Sequence, residues 1–237
     1  LDDAGISHTG TSRSSEEQNT VLIKDVNGIK IAFLSFTYGT NGIPVSSQRD
    51  YSVNLISDDL ILNQLALAKE QNPDLICVSM HWGIEYKLQP NTEQKDLADY
   101  LFENGADIIL GSHPHVLEPM EKRPVTLSDG TKKDGFVIYS LGNFISAQKD
   151  KYTKDSIILN LKITKHSQGN ITIDSYDYTP IYMQDNGANA KNRYELVDLE
   201  KKIKDYENGD KSITATAYKT YVAELKNVKT ALGEDKQ

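Results

Sequence analysis

The sequence predicts an α/β protein built on a largely parallel sheet. Short apolar runs of strand length alternate with amphipathic helical segments, and the polar residues able to do chemistry fall directly after those runs. The apolar runs also lack the alternation of a half-exposed strand, as expected for strands covered on both faces. The chain has 237 residues, enough for one large domain or a domain with an appendage. A chain of that length buries roughly three-quarters of its unfolded surface, so neither disulfide nor metal is needed merely to hold it folded. Its single cysteine, Cys77, excludes an internal disulfide framework and a cysteine-built zinc site.

The elements follow in chain order. Residues 1–6 (LDDAGI) read as the end of a helix running into a glycine turn, and with no initiator methionine they raise the expectation of an upstream part of the same domain. Residues 20–24 and 30–36 flank Asn27-Gly28, a turn signal, and are predicted to pair as a hairpin. A polar, Gly- and Pro-containing loop follows. A helix then starts at Ser57 or Asp58, either of which can cap it, and buries Leu60, Ile61, Leu65 and Ala68. It must stop by Asn72, because Pro73 disfavours helical geometry in the residue before it.

Residues 74–80 (DLICVSM) make a compact buried strand. Asn91 opens the next helix, with Gln94 placed to close a capping box, a buried stripe of Leu97, Ala98, Leu101 and Phe102, and Gly105 at the C-terminal cap. Residues 107–110 (DIIL) and 135–141 (GFVIYSL) are two further buried strands. Beyond Ser156 the composition shifts to Ile, Thr and Tyr, and residues 156–164 and 171–182 read as an antiparallel hairpin. A polar linker over 185–192 leads to amphipathic helices over 195–205 and 217–232. The chain therefore divides into a domain over 1–184 and a helical extension over 185–237.

Several functions are excluded at once. A net charge of -8 opposes nucleic-acid binding, which needs a basic surface. No stretch approaches the ~20 apolar residues of a membrane span. There is no phosphate-binding loop, nucleophile elbow or dinucleotide fingerprint.

What remains is positional. His81-Trp82-Gly83, Gly111-Ser112-His113-Pro114-His115 and Gly142-Asn143 each follow an apolar strand, and ligands of open α/β sheets bind outside the carboxyl ends of parallel strands. His81, His113, His115 and Asn143 are thus expected in one crevice. Imidazole is a common ligand for divalent ions of the zinc, iron and manganese type, so the three histidines are candidate metal ligands. Gly111 is expected to turn the backbone sharply, and Pro114 to hold His113 extended. Three histidines without a carboxylate make a poor two-metal site. Glu85 is the candidate to complete it, as ligand or general acid/base, or else it is a surface loop carboxylate. Glu118 and Glu121 read as structural, His8 and His166 as solvated.

At these residues the chain resembles the bacterial capsule synthesis protein CapA family, also called the poly-γ-glutamate capsule or PgsA family. The matching stretches are His81-Trp82-Gly83-Ile84-Glu85-Tyr86, Glu93-Gln94, Asn104-Gly105-Ala106-Asp107, Gly111-Ser112-His113-Pro114-His115-Val116 and Tyr139-Ser140-Leu141-Gly142-Asn143-Phe144. Ile6-Ser7-His8-Thr9-Gly10 and Asn27-Gly28-Ile29 match its earlier portion. The resemblance implies a calcineurin-like metallophosphatase sandwich of two mixed sheets flanked by helices, with His81, His113 and His115 at metal-ligand positions and Asn143, like Glu85, a catalytic candidate. It implies a cell-surface protein that makes, exports or anchors a poly-γ-glutamate capsule at the extracellular face of the bacterial membrane, its anchor upstream. An anionic polymer or phosphate-bearing substrate and the membrane subunits of a capsule synthase are the expected partners. The alternatives are a phosphoesterase using a water activated by two metal ions, or a non-catalytic scaffold. The family's Gly-Asp motif and Asn-Asn-His segment are absent from this sequence, so part of the ligand set is expected upstream. Lys122, Arg123, Lys132 and Lys133 are either a basic patch beside the site or an ordinary solvated loop.

Overall fold

The computed structural model describes residues 1–233. Strands β1 (Leu22–Val26) and β2 (Ile29–Thr37) form the expected hairpin around Asn27-Gly28. Helix α1 (Ser15–Gln18) is a single turn ahead of it. Helix α2 (Asp58–Glu70) begins at its Ser57 cap and ends before Pro73, and it leads into β3 (Leu75–His81). Helix α3 (Thr92–Glu103) carries the capping box from Asn91 and Gln94 and leads into β4 (Ile108–Ser112). β2, β3, β4 and β6 (Lys132–Leu141) run parallel at the centre of a six-stranded sheet ordered β1-β2-β3-β4-β6-β5.

Strand β5 (Leu117–Thr126) is not predicted by the sequence. Its prolines at 119 and 124 and its charges argue for a loop, yet it pairs antiparallel with β6 along the sheet edge, where a missing N–H costs no ladder bond. This also corrects the reading of the basic residues. Lys122 and Arg123 lie on β5, Lys132 and Lys133 on the opening residues of β6, away from its carboxyl end. Lys122 pairs with Asp134 at 3.0 Å, Lys133 with Asp107 at 2.6 Å, and Arg123 with Asp99. Lys122, Arg123 and Lys133 are thus ion-paired strand residues rather than a solvated loop or a free patch, while Lys132 is exposed at the start of β6.

A second, antiparallel sheet joins β7 (Asp155–Lys165), β8 (Ile171–Asp185) and β9 (Tyr194–Asp198). β9 corrects the expected helix over 195–205, and the segment beyond 184 is not wholly helical. The strand passes straight into helix α4 (Leu199–Glu207) at Asp198, whose side chain caps Lys201 N at 2.9 Å. No turn residue separates the two periodicities, which is why the sequence blurs them. Helix α5 (Ala215–Leu232) ends at Gly233 in a left-handed cap.

Two apolar layers hold these parts together. Ile61, Leu65 and Ala68 of α2 and Ala98, Leu101 and Phe102 of α3 cover one face of the large sheet over Leu34, Val78 and Ile109. The other face, with Leu75, Cys77, Phe136 and Ile138, packs on Ile157, Ile173 and Val197 of the small sheet and on Val228 and Leu232 of α5. The central strands are therefore buried on both sides, as their unbroken apolar runs require. Within the described residues, no helix is long and apolar enough to cross a membrane.

Candidate metal centre

The sheet register levels the strand ends. Thr37 of β2 stands opposite His81, and His81 opposite Ser112 of β4, so the next residues on either side, Tyr38 and His113, flank His81 at one rim. The ring centroids of His81 and His113 are 4.8 Å apart, and those of His113 and His115 6.1 Å. Asn143 reaches the same rim from the end of β6, and its Oδ1 lies 2.9 Å from His115 Nδ1. Glu85, in the loop after β3, places Oε1 3.7 Å from His115 Nε2. The structure thus brings His81, His113, His115, Asn143 and Glu85 together.

The hydrogen bonds decide which ring nitrogens remain available. An amide oxygen only accepts, so His115 Nδ1 carries the proton it donates to Asn143 Oδ1. Ser112 Oγ donates to Met80 O at 3.2 Å and so accepts from His81 Nδ1, also at 3.2 Å. Both imidazoles are thereby fixed in the tautomer whose Nε2 bears a lone pair, the arrangement an outer partner imposes on a metal-binding histidine. Burial is the largest influence on His81 and on His113, pulling both below the usual imidazole range. Neighbouring imidazoles add to it, while Glu85 opposes it at His113.

Close packing holds the rim. Gly111 lies inside β4 rather than at a sharp turn, which corrects the reading of its role. A Cβ there would meet Tyr139 O at 1.9 Å and Trp82 Nε1 at 2.7 Å, so glycine is required by the hydrogen bond from Trp82 Nε1 to Tyr139 O at 2.9 Å. His113 is not extended either. Its φ is 100° and that of His115 61°, left-handed values that cost a side-chain-bearing residue energy and that cluster at functional sites. The reversal from β4 into β5 is completed within four residues, and the two histidines bear the bend.

Other residues join the site unannounced. The Tyr38 ring is 4.5 Å from His113, and Tyr86 stacks on His115 at 6.0 Å. Gln148 Oε1 accepts from Asn143 Nδ2 at 2.8 Å. Glu118, fully buried, accepts from Gln94 Nε2 at 2.7 Å, while Gln94 Oε1 accepts from Asn91 N. This chain ties the start of α3 to β5 beneath the loop that carries Glu85. His166, exposed, bonds Thr172 in the outer hairpin, whereas His8 is half-buried near Asp2 and Glu17, a correction to its solvated reading.

The donor chemistry suits a divalent ion: nitrogen lone pairs from imidazoles and an oxygen from Glu85. Convergence is incomplete. Among the described residues no three His, Cys, Asp or Glu side chains come close enough together to hold one.

The family model for bacterial capsule synthesis protein PGA_cap matches residues 1–148 and spans every member of this rim. The chain belongs to that family. Within the PGA_cap family, capsule biosynthesis protein CapA of Bacillus anthracis is 32% identical over 160 residues, covering 66% of this chain and 37% of that protein. The PGA biosynthesis protein CapA of Bacillus subtilis (strain 168) is 34% identical over 169 residues, covering 70% of this chain and 42% of that protein. The chain spans about two-fifths of the length of these relatives. Among solved structures it is similar to an NAD nucleotidase of Haemophilus influenzae, at 15% identity and a TM-score of 0.41, covering 89% of this chain and 37% of the other. It is also similar to the sulfate thiohydrolase SoxB of Thermus thermophilus, at 16% identity and a TM-score of 0.38, covering 67% of this chain and 24% of the other.

Proposed function

We propose that this chain supplies the histidine half of a divalent-metal centre in a capsule biosynthesis protein that handles a poly-γ-glutamate-type polymer at the outer face of the bacterial cell. Membership of the PGA_cap family and the names of the two CapA relatives support the process. One observation supports the metal centre: His81 and His115 each have Nδ1 committed to a neighbour, leaving Nε2 as the free donor. A manganese, iron or zinc ion so bound would supply Lewis acidity toward an anionic oxygen. The chain's own residues do the rest. His81, His113 and His115 would hold the ion together with ligands from outside this chain, Asn143 orients His115, and Glu85 is placed to take or give a proton beside it. Tyr38 and Tyr86, both exposed, flank the rim with their rings beside His113 and His115. The polymer's negative charge meets an acidic protein, so a bound ion would also supply local attraction that the ion-paired Lys122 and Lys133 do not.

Manganese titration followed by NMR of the imidazole resonances tests this. Broadening of the three rim histidines ahead of His166, weakened at least about tenfold by His113→Ala, is the expected result. Broadening confined to surface carboxylates, with the rim histidines untouched, removes the metal centre. In cells, loss of surface polymer on His81→Ala ties the centre to capsule formation, and normal capsule separates the two.

A further inference from the structure

The loops around the rim hold apolar side chains out in water. Ile43, after β2, is 72% exposed, and Ile84, after β3, is 50% exposed. Phe144 and Ile145, after β6, are 54% and 69% exposed. All three loops leave the carboxyl end of the parallel strands. Two of them meet, since Gln148 Nε2 stands 3.5 Å from the Tyr86 hydroxyl. Exposed apolar residues elsewhere, such as Val26, Leu62 and Val222, are scattered over separate elements and are ordinary. A group gathered at one end of the molecule marks an interaction surface.

Lysines accompany these side chains. Lys87 follows Tyr86, and Lys149 and Lys151 lie a few residues beyond Ile145. All three are exposed and form no ion pair among the described residues, in contrast to Lys122 and Lys133. Over residues 38–46, 82–91 and 142–154 the loops hold four lysines against two acids, Glu85 and Asp150, in a chain of net charge -8. The charge of this end is therefore opposite to that of the whole.

We propose that this end of the sheet docks on an anionic phospholipid bilayer. Ile43, Ile84, Phe144 and Ile145 enter the interface, and Lys87, Lys149 and Lys151 meet the headgroup phosphates. The apolar tips gain by leaving water for the acyl boundary, and each lysine near an anionic surface adds its own attraction. A soluble polyanion would account for the lysines but leave the apolar tips in water. An uncharged apolar partner would leave the lysines without a role. Docked this way, the rim histidines face the headgroups, and a substrate would be taken up at the lipid surface. Docking of this kind requires no bound metal.

Sedimentation with vesicles of equimolar phosphatidylcholine and phosphatidylglycerol tests this, with pure phosphatidylcholine vesicles as the uncharged twin. The protein should bind the mixed vesicles at least about tenfold more tightly, and the preference should shrink as salt is raised. Lys87→Gln, Lys149→Gln and Lys151→Gln together should remove the preference. The same change of charge beside α4 and α5, made with Lys204→Gln, Lys211→Gln and Lys219→Gln, should alter it less than about twofold. Phe144→Ser with Ile145→Ser should weaken binding to the mixed vesicles at least about tenfold. Should that pair not fold, the two lysine sets decide. Equal binding to both vesicles, equal losses from the two lysine sets, or lysine-dependent binding of soluble poly-γ-glutamate without retention on vesicles overturns the proposal.

Discussion

At His113 and His115 the backbone holds positive φ values that glycine would adopt freely. His113→Gly should therefore be more stable than His113→Ala by about 1 kcal/mol in urea denaturation, although both lose the ring. The reverse order would mean that the bend carries no strain. Gly111 presents the opposite case, since space rather than dihedral freedom demands it. Gly111→Ala should cost about 3 kcal/mol or more, because the added methyl drives into Tyr139 O and parts Trp82 from its acceptor. Trp82 is the sole tryptophan, so a red shift of its emission at low denaturant checks this directly. At this scale the sequence reveals the rim histidines and Asn143, because each follows a recognisable strand. Tyr38 follows β2 in the same way, and the strand-end argument extended one strand further would find it. Ser112 and Gln148 are not legible, since their value lies in a hydrogen bond that only register and loop path create.

Among the elements, α3 matters most to the site. Its Asn91–Gln94 box closes the loop carrying Glu85, and Gln94 continues to Glu118. Asn91→Ala should cost about 1 kcal/mol of stability, measured by thermal or chemical unfolding, through the lost cap. An unchanged midpoint would show that the buried Gln94–Glu118 contact alone holds the helix start. Helices α2 and α3, the first hairpin and the central strands are readable because local signals agree with burial: caps, a turn dipeptide, unbroken apolar runs. β5 and β9 are not. β5 carries prolines and charges tolerated only because it lies at an edge, and β9 runs into α4 with no punctuation.

For the molecule as a whole, two buried acids, Glu118 and Asp155, contribute a response to pH. Burial raises Glu118 from the usual 4.5 to about 7, and Asp155 from 3.8 to about 8. The folded chain then binds these protons more tightly than the unfolded one. Their stabilising contribution is complete below pH about 4 and is lost as pH rises through about 7 and then 8. Glu118→Gln, which stays neutral and can still accept from Gln94, should gain about 3 kcal/mol over the parent at pH 8 and nothing at pH 4. Denaturant midpoints at the two pH values measure this, and parallel profiles for parent and variant would remove Glu118 as the cause.

The crowding of Tyr38, His81 and His113 has a practical outcome. Aromatic circulation from rings 4.5 to 5.8 Å apart displaces the resonances of their neighbours. The protons on these three side chains consequently form a built-in gauge of strand alignment. A slip of one residue between β3 and β4 would send His81 and its opposite number to different faces and collapse the displaced signals together, with no label attached.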